Sequence, residues 1–378
     1  MLFCGVICEF DPFHNGHAYL LRLLRQKTGC DGILCVMSGS FTQRGEAAVV
    51  SKWARTEMAL ACGADFVFEL PALFAVRDAA HFAQGGVGLL DALGADWLGF
   101  GSETGELAPL WTAARTEPDA AKLREGLKRG ESFARARGTP LAPNDTLAVE
   151  YLRAVDTTGS RMQPVTVRRE GSGYHDGRMG PLASATAVRE ALWRGESVQA
   201  AMPEAAYAVL AREIEEGAFQ RCDGLDEALL ALLRLAEPGR LCRAPEMSEG
   251  LENRLLHAAQ ACGTRRDAIA AVKCKRYTWA RISRALTQAA LGMEKQLCRR
   301  VQSPPYARLL GFRAASAPML GEIKKRARVP IEARGARLRE RYEDVFRLEM
   351  RASDLWALGC LRRREACRDL TEKIIILE

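Results

Sequence analysis

The feature that most constrains this chain is an alternation along its first 170 or so residues. Short β-rich runs take turns with segments of helical spacing. LFCGVIC (2–8) precedes AYLLRLLRQ (18–26), and GILCVMSG (32–39) precedes SKWARTEMALACG (51–63), where Ser51 is placed as N-cap and Gly63 as C-cap. DFVFELP (65–71), ADWLGFGSE (95–103) and QPVTVRRE (163–170) supply three more strand-like runs. Strands separated by helices imply right-handed βαβ units and a parallel, doubly wound sheet. After about residue 186 the pattern turns helical, and no further strand is expected before the closing KIIILE. A chain of 378 residues with 48% apolar content can build two cored units. The boundary is expected between 195 and 225, giving a sheet domain over 1–205 and a helical region over 206–378.

Composition removes several classes. No apolar run reaches the ~20 residues of a membrane span, so no membrane partner is expected. The first apolar run lacks a basic flank and meets Glu9 and Asp11, unlike a signal peptide. The 12 cysteines form no CxxC, and Cys4/Cys8 and Cys30/Cys35 sit in apolar runs. They read as small buried hydrophobes of a cytoplasmic protein, and no zinc site is expected. Charge is uneven. Lys273 to Arg339 holds 17 Lys/Arg against 3 Glu, a local +14, which leaves −7 for the rest of a chain whose total is +7. A basic region on a mildly acidic body suits a polyanionic partner.

The stretch CEFDPFHNGHAYLL (8–21) is a strand end, a tight loop and a helix start. Ligands of a doubly wound sheet bind at such loops, beyond the carboxyl ends of strands. A helix beginning near His17 offers free N–H groups to phosphate, and His14 and His17 can donate to phosphoryl oxygens. Nucleotidyl transfer needs such donors, because charge builds on the α-phosphate and the leaving pyrophosphate. The competing account makes both histidines polar loop or capping residues.

HNGH after an apolar strand resembles the HxGH signature of the nucleotidyltransferase superfamily that includes class I aminoacyl-tRNA synthetases. MSGSFTQRGEAAVVSKWARTEMAL (37–60), FGSE (100–103), PNDTLAVEYL (143–152), RREGSGYHD (168–176) and SATAVRE (184–190) follow it in order. Together with KRYTWARISRAL (275–286) and YARLLGF (306–312), they resemble the bacterial tRNA(Met) cytidine acetate ligase family. Asp11 stands where that family's loop is expected to carry Asn.

The resemblance implies a nucleotidyltransferase-like (HUP/Rossmann-like) sheet domain that activates acetate with ATP to acetyl-adenylate. It also implies transfer of the acetyl group to N4 of the wobble cytidine of elongator tRNA(Met). His14 and His17 are then the catalytic pair. Ile7, Cys8, Glu9, Phe10, Asp11, Pro12, Phe13, His14, Asn15, Gly16, His17, Ala18, Tyr19 and Leu20 wrap the nucleotide. Gly101, Asn144 and Arg169 complete its contacts, although Gly101 also fits a turn and Asn144 an N-cap. Ser184, Thr186 and Arg189 form a second phosphate-binding turn or an ordinary capped helix start. Mg²⁺ normally accompanies ATP, and Glu103 or Asp11 can contribute oxygen ligands. Lys52, Arg55, Gln43 and Arg44 are further candidates for phosphate or tRNA. His175 and Asp176 read either as a base or as part of a turn.

In VKCKRYTWARISRALTQAALG (272–292), Lys273, Lys275, Arg276, Arg281 and Arg284 are expected to meet tRNA phosphates. Tyr277 and Trp279 can stack on unpaired bases, although Trp279, Ile282 and Leu286 also have the spacing of a helix core. Two other readings stay open at this point. One is an adenylyltransferase for a small metabolite; the other is an RNA-binding protein whose nucleotide site has decayed, for which Asp11 is the argument.

Overall fold

The computed structural model describes residues 1–117, 124–126, 128–129, 141–169, 180 and 182–378. The five expected strands are β1 (Phe3–Cys8), β2 (Gly32–Ser38), β3 (Phe66–Leu70), β4 (Trp97–Ser102) and β5 (Gln163–Arg168). They pair in parallel in the order β5-β4-β1-β2-β3. Near-continuous apolar runs suit a parallel sheet covered on both faces, and the side chains sort accordingly. Leu34, Val36, Phe66 and Phe68 enter one core, while Ile33, Cys35, Met37 and Val67 enter the other.

β1 lies between β2 and β4, so the chain winds first to one side of it and later to the other. That reversal opens a crevice beyond the carboxyl ends of β1 and β4. Helix α1 (Asn15–Thr28) starts beside it and ends on Gly29 at φ +60°. Helix α2 (Lys52–Ala61) begins at Ser51, whose Oγ accepts the Ala54 N–H at 3.1 Å.

The C-terminal part differs from the sequence expectation in one respect. It returns two unexpected strands to the sheet, β6 (Ala307–Arg313) and β7 (Ile331–Glu332), ahead of the expected closing strand β8 (Ile375–Leu377). β6 runs antiparallel to β3, and β7 and β8 run parallel to β6. A seven-residue apolar run has no period that separates strand from helix, and Arg308 interrupts this one. Arg308 is tolerated at 2% exposure because Glu69 meets it at 2.9 Å and Asp369 also pairs with it. Lys52 joins the same cluster, 2.5 Å from Glu69 and 2.6 Å from Asp369. Its position on α2 offered it to phosphate or tRNA; the fold buries it as a tie between α2, β3 and the C-terminal turn.

Residues beyond 206 also build a helical core of their own. The helices Asp226–Leu235, Leu251–Ala261, Arg265–Val272 and Trp279–Leu291 close around Leu233, Leu255, Ile269, Ile282 and Leu286. This bundle docks on the loop after β2. Ser283 and Thr287 hydroxyls donate to the Gly45 carbonyl at 3.1 and 2.7 Å, and Gln288 Nε2 donates to the Val76 carbonyl at 2.8 Å. Gly45 has φ +74°, and a Cβ on it would stand 2.6 Å from the Arg284 backbone. Only glycine permits that approach.

Candidate active site

Helix α1 starts at Asn15, two residues earlier than expected, with His14 as its N-cap. His14 Nδ1 accepts the Gly16 N–H at 3.1 Å, and His17 Nδ1 accepts the His14 N–H at 3.2 Å. The two rings stack with centroids 3.7 Å apart and planes 27° apart. Phe10 and Phe13 support the His17 ring at centroid distances of 5.0 and 5.5 Å. Because each Nδ1 accepts, each neutral imidazole carries its proton on Nε2. Burial, followed by the positive charges of Arg169 and Arg189, pushes the His14 pKa down to about 3. Burial, followed by His14 and Arg169, holds His17 well below its ordinary value. Both rings are therefore neutral donors at physiological pH. Capping and phosphate donation, opposed in the sequence reading, use different nitrogens of the same rings.

Asp11 is 4% exposed and fully engaged. Its Oδ1 accepts the Val49 N–H at 2.6 Å, and Arg189 approaches Oδ2 to 3.3 Å. Arg189 also donates to the Asp11 carbonyl at 2.7 Å. The extra carboxylate is thus matched by a guanidinium that no local sequence pattern pairs with it, and the argument for a decayed site loses its basis. The same bonds bring the helix Ala185–Trp193 to the loop, with Ser184 as N-cap accepting the Ala187 N–H at 3.2 Å. Exposed Thr186 accepts from Arg189 at 3.3 Å.

Arg169 lies over Gly101. The pairing of β4 with β5 sets Gly101 opposite Val167, and a Cβ on Gly101 would stand 3.3 Å from Cγ of Arg169. Arg169, rather than its neighbour Arg168, also contributes positive potential at both histidines. Asn144 lies in the first turn of the helix Pro143–Thr158, whose N-cap is Ala142, so Asn144 is not the cap. Its Nδ2 donates to Glu103 at 2.6 Å, and the Asp145 N–H donates to the other oxygen at 2.8 Å. Burial raises the Glu103 carboxyl, but these bonds outweigh it and hold the group below its ordinary range.

Other expectations resolve differently. Ile7, Cys8, Phe10 and Phe13 are buried and do not present their side chains to a ligand. Asn15 donates to the Ala200 carbonyl at 3.0 Å. Arg55 is fully buried: it donates to the carbonyls of Glu9 at 2.6 Å, Ser38 at 3.1 Å and Gly39, locking the loops after β1 and β2 together. It therefore presents nothing to phosphate or tRNA. The Gln43 N–H donates to Glu9 at 2.6 Å, while Arg44 is exposed. Tyr174, His175 and Asp176 lie outside the described residues. Among the described residues no group of three or more His, Cys, Asp or Glu is placed to hold a metal ion. No described helix is long and apolar enough to cross a membrane.

The basic segment divides. Lys273, Lys275 and Arg276 are exposed. Arg281 is 3.2 Å from Glu249 and 5.2 Å above the Tyr277 ring, and Arg284 is buried 2.7 Å from Glu246. Arg284 thus has no free face for RNA. Tyr277 is 2% exposed and its hydroxyl donates to the Glu249 carbonyl at 2.6 Å, so it offers no stacking platform. Trp279 packs half-buried on the helical core with Ile282 and Leu286.

A parallel sheet whose first strand delivers two neutral imidazoles to a helix start defines a nucleotidyltransferase-type site. The model of the family HIGH Nucleotidyl Transferase matches residues 1–369, and the chain belongs to that family. Among its relatives is the tRNA(Met) cytidine acetate ligase of Syntrophomonas wolfei, 36% identical over 394 residues and 95% of each chain. That of Syntrophotalea carbinolica is 40% identical over 354 residues, covering 86% of this chain and 83% of the relative. The crystal structure of Thermotoga maritima TmcAL bound with alpha-thio ATP matches at a TM-score of 0.90 and 32% identity over 100% of both chains.

Proposed function

We propose that this protein is a tRNA(Met) cytidine acetate ligase that works through acetyl-adenylate. The observation carrying this reading is likeness over nearly the whole chain to proteins of that name, since HNGH alone suits many nucleotidyl transfers. Acetate is a poor electrophile. Its oxygen attacks the α-phosphorus of ATP, pyrophosphate leaves, and acetyl-AMP forms. The N4 amine of the wobble cytidine of elongator tRNA(Met) then attacks the acetyl carbon, AMP leaves, and the amine sheds one proton.

His14 and His17 donate their Nε2–H groups to phosphoryl oxygens where charge builds, as dipoles rather than cations. Arg169 and Arg189 supply the positive charge, and the start of the helix after Ser184 contributes backbone N–H groups. Residues 7–20 wrap the nucleotide, with Gly101 beneath it and Asn144 at its edge. Any Mg²⁺ would be carried by the triphosphate oxygens and would help neutralise their charge. Asp11 and Glu103 do not fit as its ligands, because the Val49 N–H and Arg189 hold one and the turn at Asn144 holds the other. Residues 1–205 carry activation and the helical region after 206 presents the tRNA, with Lys273, Lys275 and Arg276 as its free cations. A tRNA substrate places the reaction in the cytoplasm.

The test incubates the protein with ATP, labelled acetate and bulk tRNA, then analyses the nucleosides by mass. N4-acetylcytidine that requires all three components supports the reading. Acetate-independent ATP turnover onto a small metabolite, or none at all, overturns it.

A further inference from the structure

A second cationic feature shares no residue with the loop and helix start described above. The helix Glu343–Leu358, the end of the helix Trp279–Leu291, the helix Lys295–Arg300 and the turn around 237–244 enclose an open groove of about 630 Å³. Arg240, Arg243, Arg300, Arg347 and Arg351 line it. Asp344, Arg347, Leu348 and Arg351 have the spacing of one helix face, and the Leu348 side chain is buried beneath them.

The three acids that line the groove, Glu237, Glu294 and Asp344, are outnumbered by its five arginines. Asp344 pairs with Arg300 and stands 3.8 Å from Arg347, and Glu294 stands 3.5 Å from Arg243. Arg240 and Arg351 have no ion pair among the described residues. Arg351 donates to the Leu291 carbonyl at 2.9 Å, and Gly292 makes room for it: a Cβ there would fall 2.4 Å from its guanidinium. Burial lowers the Arg351 pKa, and the like charges of Arg347 and Arg240 crowded beside it lower it further. Arginine does not relieve such crowding by losing its proton. An anion does.

We propose that this groove binds backbone phosphates of the tRNA substrate, as a second contact beside Lys275 and Arg276. The inference rests on the tRNA reading above. Guanidinium forks suit paired phosphoryl oxygens, several of them line one open groove, and the helices that carry them belong to or adjoin the basic half of the chain.

The experiment titrates tRNA onto the full-length protein at several salt concentrations. The combined variant Arg240→Ala, Arg347→Ala and Arg351→Ala is expected to lose about tenfold or more in affinity, with the salt slope falling by roughly two to three. Acetyl-adenylate formation without tRNA should be unchanged. Asp344→Asn frees Arg300 and Arg347 and should tighten tRNA binding, a gain that misfolding cannot imitate. Unaltered affinity and slope in the triple variant, or no gain from Asp344→Asn, overturns the proposal. So does a triple variant that binds tRNA normally but loses tripolyphosphate, which would assign the groove to a small anion. If the unaltered protein makes no acetylcytidine, the functional reading fails, while the titration still judges the groove.

Discussion

Two short segments carry similar cations and use them in opposite ways. Lys52 and Arg55 on α2 are wholly buried, each spending its donors on carboxylates or carbonyls of other elements. Lys275 and Arg276 are exposed at the edge of the helical core. The first pair holds the sheet and its loops together; the second is available to a partner. A cation is free for a partner where the fold leaves it unmatched, and the histidine pair shows an intermediate case: Nδ1 of each ring serves the fold, which leaves Nε2 as the donor.

The largest effect should come from the buried side of this contrast. Lys52→Ala leaves Glu69 and Asp369 with Arg308 alone and should cost about 3–5 kcal/mol of unfolding free energy in urea titrations. A loss below 1 kcal/mol would show that water enters the cluster.

His17→Ala comes next. It removes one donor at the developing charge and should slow acetyl-adenylate formation on the order of 10²–10³, while the lost capping bond to the His14 N–H costs only about 1 kcal/mol of stability and leaves the protein folded. A near-normal rate would break the assignment of the ring to the phosphates.

Acid should separate the histidines from the exposed cations. Both imidazoles have folded pKa values below the unfolded value, so the unfolded chain binds more protons as pH falls below about 6.5. Stability is therefore complete above that pH. For His14 it is lost downward toward about 3, with a slope of roughly 1.4 kcal/mol per unit. His14→Asn keeps a capping side chain and should flatten the slope between pH 6 and 5 in denaturant titrations. An unchanged slope would mean that the ring is already charged in the fold.

The smallest stability effect belongs to the exposed pair. Lys275→Ala with Arg276→Ala should shift stability by no more than about 0.5 kcal/mol and leave tRNA-independent chemistry intact. It should reduce the salt slope of tRNA binding by roughly one per lost phosphate contact. A parallel fall of both activities would show that this segment belongs to the nucleotide site and would erase the contrast.

By itself the sequence determined the five parallel strands, the loop and helix start that hold His14 and His17, and the basic character of the C-terminal half. These are local properties, written in periodicity, caps and short spacings. It left β6 unread, because seven residues with an arginine among them match no single period. Nor could it sort its cations. That Arg189 answers Asp11, that Asp369 and Glu69 consume Lys52 and Arg308, and that Glu246 retires Arg284 are decided between residues far apart in the chain. A cation's role depends on whether a carboxylate meets it out of water, and only tertiary packing brings the two together.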